Sequence, residues 1–226
     1  MKTTPFAACA LAGLAMLASH AASAQQNTVR GGLAYLTIHS SSPNLTSNGP
    51  DFLTPQPAGI TVDNASTIML GYTRALDEHW DLDFALGIPP AHDVRGRDML
   101  APFGVTAKVK QAAPTVFGNY NFGAAKDALR PFVGVGVNFT HFYDGQSTAS
   151  GDIATGGPTK ISLTNSVGLA LQAGLNYKLF DGWSIGASVA TAKVKSDMTA
   201  TTGSIERKTT IDFKPVVYTA YVAYSF

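Results

Sequence analysis

The chain has 226 residues, 45% of them hydrophobic and 14% charged, with 16 Lys and Arg against 15 Asp and Glu. A net charge of +1 leaves no broad basic face for a nucleic-acid backbone, which excludes that class of partner. The length suits a single domain, and a lone cysteine, Cys9, excludes an internal disulfide and a cysteine-based metal centre.

Met1 and Lys2 lead into an apolar stretch from Phe6 to Ala18, and the small residues Ala22, Ser23 and Ala24 follow. A basic tip, a short apolar centre and a small-residue end are the features of a secretory leader, so residues 1–24 are expected to be a cleaved signal peptide and residues 25–226 the mature domain. The apolar run is shorter than the roughly 20 residues that a membrane-crossing helix needs. Cys9 lies in the leader, so the mature chain is expected to carry no thiol. After Ala24 no apolar run reaches helix-spanning length. In a membrane the mature chain must then be a closed barrel, because only helices and barrels satisfy every backbone hydrogen bond in lipid.

Alternation with a period of two predicts eight antiparallel strands, approximately Thr28 to His39, Ala65 to Leu76, His79 to Ile88, Val105 to Phe122, Arg130 to Asp144, Lys160 to Phe180, Trp183 to Ser196 and Ile205 to Phe226. The third puts Trp80, Leu82, Phe84, Leu86 and Ile88 on one face, and Asp81, Asp83, Ala85 and Gly87 on the other. The sixth sets Val167, Leu169, Leu171 and Leu175 against Gly168, Gln172, Gly174 and Asn176. It is longer than the roughly 5 to 6 residues of an ordinary globular strand. Such a length suits a strand tilted through a bilayer.

Tight connections, LDEH, GAAKDAL and FDGW, alternate with long ones at Ser40 to Asn64, Pro89 to Gly104, Gly145 to Thr159 and Asp197 to Ser204. That alternation is the pattern of a transmembrane barrel with periplasmic turns and extracellular loops. In two strands the apolar parity changes at a proline. Phe103, Val105, Ala107 and Val109 give way to Val116, Gly118, Tyr120 and Phe122, and Ile211 and Phe213 give way to Val216, Tyr218 and Val222. Two bulges, near Ala112 to Pro114 and at Pro215, or a local gap in the wall, are expected.

The last residues, VVYTAYVAYSF, place Tyr224 and the terminal Phe226 on one face, as in the signal that outer-membrane barrels present to their insertion machinery. LDFALGIPPAHDV, RPFVGVGVNFTHFYD, NSVGLALQAGLNYKL and TTIDFKPVVYTAYVAYSF, in this order and spacing, make most of the mature chain resemble the outer membrane protein W (OmpW) family. The resemblance implies an eight-stranded barrel in the bacterial outer membrane that is a passive conduit for small hydrophobic molecules. It also implies an apolar lumen and, as in related alkane-uptake proteins, a side exit toward lipid.

Parity places Arg30, Ala34, Leu36 and Ile38 of the first strand inside the barrel, with Phe132, Asn138, Thr140 and Phe142 of the fifth. The expected arrangement is a polar lower lumen of Arg30, Asp81, Asp83 and Asn138, below an apolar pocket of Leu36, Ile38, Met99, Leu100, Phe103 and Phe142. The same apolar residues also suit a plug. A barrel of eight strands holds only side chains or one small ligand. Lateral release is expected at the kinks of Pro89, Pro90 and Pro114. Asp81 and Asp83, two apart, face the lumen together, and pairing with Arg30, Arg74 or Lys178 is favoured over cation binding.

Enzymatic chemistry has little to build on. His39, His79, His92 and His141 show no zinc-binding spacing. His39, His92 and His141 are expected as solvated rim residues. His141 with Ser147 is the nearest imitation of a lipid-deacylating pair and lacks an orienting acid. GVGVNF lies in a strand and opens no helix, so its glycines relieve crowding and do not cradle phosphate. No enzyme, cofactor or metal is expected. The partners implied are outer-membrane lipid, the insertion machinery and a small hydrophobic solute. The alternatives are a structural or receptor-type barrel whose loops bind a partner, a lipid-modifying enzyme and, more weakly, a soluble lipocalin-type barrel.

Overall fold

The computed structural model describes residues 26–49 and 57–226. The expected leader, with Cys9, and part of the Ser40 to Asn64 loop lie outside the described residues. In chain order the strands are β1 (Asn27–Ile38), β2 (Thr46–Ser47), β3 (Ala58–Val62), β4 (Ala65–Ala75), β5 (Trp80–Gly87), β6 (Ala91–Asp98), β7 (Val105–Ala112) and β8 (Thr115–Asn121). They continue as β9 (Leu129–Ser147), β10 (Thr159–Leu163), β11 (Ser166–Phe180), β12 (Trp183–Ala192), β13 (Lys195–Thr202), β14 (Ile205–Asp212) and β15 (Pro215–Ser225). A short helix, α1 (Ala149–Thr155), follows β9, and a 3-10 turn spans Ala101–Phe103.

Eight of these strands close a barrel in the order β1, β4, β5, β8, β9, β11, β12, β15, every neighbouring pair antiparallel. The terminal residue completes the seam, since Phe226 and Asn27 exchange backbone hydrogen bonds of 2.8 and 3.0 Å. Closure leaves no strand edge to be desolvated, the condition for a sheet to sit in lipid. The expected fold class, an eight-stranded antiparallel β-barrel, is the observed one. The long connections are not bare loops. They rise as a second sheet, β3, β6, β7, β9, β10, β13, β14 and β2, above the long-loop rim. The 19-residue β9 runs through both layers.

The two layers have opposite polarity. Around the barrel the outward positions are apolar, with Leu33 70% exposed and Val135, Val167, Leu169 and Leu171 exposed like it. Trp80, Trp183, Tyr120, Tyr224 and the terminal Phe226 form an aromatic girdle at the short-turn end. In the upper sheet the outward positions carry charge, and all ion pairs but one among the described residues lie there, such as Arg95–Asp63, Lys108–Asp93 and Lys110–Asp144. Its interior holds Ile60, Val62, Val94, Val109, Phe142, Met198, Ile211 and Phe213. The bilayer therefore ends where the strands break, and by the rule for bacterial barrels the upper sheet is extracellular.

This reversal corrects the expected bulges. Inward positions stay odd-numbered from Ala107, Val109 and Gln111 to Phe117, Asn119 and Asn121, and likewise from Ile211 and Phe213 to Thr219, Tyr221 and Ala223. No extra residue is absorbed at Ala112 to Pro114 or at Pro215. The pleat continues while the solvent outside changes from lipid to water, so the apolar set passes from the outer to the inner face. The register irregularities fall elsewhere, between Lys108 and Lys110 opposite the positive-φ Asp144, between Val94 and Arg95, and between Lys178 and Phe180.

Candidate functional site

Among the described residues, cavities are stacked along the axis of the interior. The lowest, about 330 Å³, is a polar vestibule at the short-turn end, bordered by Glu78, Arg130, Asn176 and Lys178. The middle one, about 140 Å³, is bordered mainly by apolar groups including Leu36, Ile38, Met69 and Val217. The uppermost, about 60 Å³, lies inside the extracellular sheet.

A hydrogen-bonded layer separates the lowest two. Asp83 is 0% exposed and accepts from Arg30 Nη2 at 2.6 Å, Thr73 Oγ1 at 3.1 Å and Gln172 Nε2 at 3.1 Å. Gln172 also donates to Asn119 Oδ1 at 2.7 Å, and Asn119 donates to Asp81 at 2.8 Å, as Asn121 does at 2.5 Å. The Arg30 guanidinium also lies 5.1 Å above the Tyr221 ring. Gln172 on β11 thus reaches across the lumen to β5 and, over β9, to β8. A glycine makes that second bridge fit: a Cβ at Gly134 would collide with Asn119 Oδ1 and crowd Gln172 Cγ. A charged pair buried in this way holds position only while both partners remain.

The middle cavity is closed below by this layer and above by apolar packing, with the Phe142 and Phe213 rings stacked at 5.0 Å. Its side is different. The β5–β8 ladder ends at Ala85 and Thr115, and pairing resumes only where Gln111 donates to the Pro90 carbonyl at 3.4 Å. Pro89, Pro90 and Pro114 flank this interruption and have no N–H to leave unsatisfied there. The wall of the middle cavity includes Leu86, Gly87, Pro90 and Ala113, the residues of the interrupted stretch. The ladder is thus interrupted on the β5 side of Pro114 and continuous on its β9 side, and Pro215, whose strand stays paired, also borders the cavity.

The expected apolar pocket is divided by the structure. Leu36 and Ile38 border the middle cavity, Phe142 and Leu100 pack into the apolar core above it, and outside it Met99 precedes the 3-10 turn while Phe103 ends it. Met99 is exposed because the turn at Ala101–Phe103 closes the β6–β7 hairpin away from the axis. Of the expected lower polar residues, Arg30, Asp81 and Asp83 form the layer. Asn138 stands higher, donating to Thr115 Oγ1 at 2.8 Å and accepting from Thr140 at 2.7 Å. The layer residues Thr73, Asn119, Asn121 and Gln172 were missing from the expected set, although each is a polar side chain at an inward parity position. Lys178 instead donates to the Ala125 carbonyl.

The rim histidines do not gather. His39 is exposed, and His141 points outward, its Nδ1 donating to Asn165 Oδ1 at 2.8 Å. Ser147 faces inward on the same strand, so the wall divides it from His141. His92 is not solvated but 2% exposed, with Nδ1 3.0 Å from the Asp63 carbonyl and Nε2 3.0 Å from Gln111 Nε2. Nδ1 therefore carries the proton and Nε2 accepts. Desolvation holds this imidazole below its ordinary pKa of 6.5. Because the folded pKa is depressed, the unfolded chain binds the extra proton first as pH falls. The stability His92 contributes is complete above 6.5 and is lost as pH drops through the folded value. Urea unfolding at neutral and mildly acidic pH is expected to show a loss of stability in acid that His92→Gln reduces.

A profile described as the OmpW family matches residues 24–226. The chain belongs to the OmpW family. Outer membrane protein W of Vibrio cholerae is 28% identical over 222 residues, covering 96% of this chain and 98% of that one. The crystal structure of the outer membrane protein OprG from Pseudomonas aeruginosa superposes with a TM-score of 0.80 at 26% identity, covering 90% of this chain and 96% of that chain. The "dibenzothiophene metabolism operon protein PahQ" of Pseudomonas aeruginosa is 26% identical over 165 residues, covering 73% and 72%. This OmpW-family barrel is an integral protein of the bacterial outer membrane, with its apolar outer band against lipid.

Proposed function

We propose that this OmpW-family barrel passes small hydrophobic molecules across the outer membrane without covalent chemistry. The observation that carries the reading is the middle cavity: apolar inside, sealed below by charge, and bordered by the proline-flanked interruption of the wall. An apolar solute entering from outside meets a core of its own polarity around Phe142 and Phe213. It then meets the Arg30–Asp83 layer, where further descent would strip hydrogen bonds from buried charge. The side path, between Leu86 and Ala113 toward lipid, has no such barrier. The relative named for dibenzothiophene metabolism fits a fused-ring aromatic molecule as one such solute. Tyr224 and Phe226, outward at the closing seam, are the proposed contact for the insertion machinery.

Uptake of a hydrophobic fluorescent probe by liposomes tests the reading. Protein is expected to accelerate uptake, and Ala190→Trp, which fills the middle cavity from an inward position, to return the rate to that of protein-free liposomes. Equal rates with and without the wild-type protein would end the proposal.

A further inference from the structure

The extracellular sheet buries a cation that no acid among the described residues answers. Arg207 on β14 is 5% exposed and faces inward. Its Nη1 donates to Thr202 Oγ1 at 3.1 Å and its Nη2 to the Thr155 carbonyl at 3.3 Å, both neutral acceptors. Among the described residues no carboxylate pairs with it, and the adjacent Glu206 binds Lys208 at 2.7 Å instead. The carbonyl end of α1, to which Thr155 belongs, offers only a partial negative charge, about half an elementary charge for a full helix. Arg30, the other buried arginine discussed above, has Asp83. Desolvation disfavours the charged form of Arg207, yet a guanidinium does not deprotonate in proteins, so burial creates a demand for an anion.

Space for that anion exists. Arg207 borders the uppermost cavity, about 60 Å³, with the hydroxyl residues Thr155 and Thr159 near it and Ile60, Met198 and Ala200 completing an apolar side. Thr155 Oγ1 and Thr159 Oγ1 lie 2.6 Å apart, and each has a backbone carbonyl in reach, Gly151 at 2.9 Å and Gly157 at 3.0 Å, so donating to an anion means rotating away from that carbonyl.

We propose that this cavity is a binding site for a short-chain monocarboxylate, its carboxylate on Arg207 and the two threonine hydroxyls and its alkyl tail against Ile60, Met198 and Ala200. A planar carboxylate matches the guanidinium fork, and the apolar side favours an alkyl tail over a fully hydrated inorganic anion. The site lies in the extracellular sheet, apart from the middle cavity, and stands whether or not the barrel transports hydrocarbons.

Calorimetric titration of the full chain in lipid nanodiscs with sodium butyrate tests it, with butyramide and sulfate as comparison ligands. Saturable butyrate binding is expected, with butyramide and sulfate at least roughly tenfold weaker. Arg207→Met is expected to weaken butyrate at least roughly tenfold. Ala200→Leu, which keeps the cation but occupies the tail space beside its cross-strand neighbour Arg207, is expected to weaken butyrate while leaving the heat-modifiable fold intact. Should Arg207→Met fail to fold, the ligand comparison and Ala200→Leu still decide. Butyramide or sulfate binding as tightly as butyrate, undiminished binding by Ala200→Leu, or no saturable binding to the wild type would each overturn the proposal.

Discussion

Asp83→Ala is expected to lower the unfolding free energy of the barrel in lipid by roughly 3–5 kcal/mol, read as a lower urea midpoint and loss of heat-modifiable migration. The carboxylate is 0% exposed, and its removal leaves Arg30, whose side chain is 8% exposed, as a cation without a counter-charge. Gln172 and Thr73 lose an acceptor in the same step. The double change Arg30→Met with Asp83→Leu removes both charges together. It is expected to recover most of the loss, because the desolvation of an ion pair offsets much of its attraction. If the single and double variants were equally destabilised, the pairing would not be the source of the effect.

The second large effect belongs to the lipid face. Val135 is 58% exposed on β9, midway along the barrel between Gly118 of β8 and Leu171 of β11. Val135→Arg is expected to destabilise the folded, inserted state by roughly 2–4 kcal/mol, since a guanidinium near the bilayer midplane must snorkel or draw in water. Ser162→Arg, outward on β10 in the extracellular sheet, is expected to change stability by no more than about 0.5 kcal/mol, as an ordinary surface substitution does. Urea titration of both variants in the same liposomes checks the contrast. It also locates the membrane boundary, because the two positions share an outward orientation and face different solvents.

Much of the membrane-level structure was readable along the chain. A strand places alternate side chains on opposite faces, and in a barrel one face meets lipid, so WDLDFALGI shows at once that Asp81 and Asp83 point inward. The same rule, applied to NYNF, would have found Asn119 and Asn121, and Gln172 stands opposite Leu171 and Ala173 in the sixth predicted strand. The apolar switches at Pro114 and Pro215 were visible too, but as a phase change. Alternation reports where apolar residues recur, and it does not say which solvent lies on either side, so a reversal of polarity in an unbroken pleat looks like an inserted residue.

What the sequence determined by itself was the closed antiparallel barrel, its apolar outer band and the alternation of short and long connections, because each follows from local periodicity or from turn chemistry; the family was legible as well, through the resemblance of four ordered segments. The tertiary structure decided the rest. Only folding brings Gln172 to Asp83 across the lumen, 89 positions apart in the chain, stacks Phe142 on Phe213 and buries Arg207 with no carboxylate partner among the described residues. Such contacts depend on the registers of several strands at once and on the absence of a side chain at Gly134, quantities that no single segment encodes.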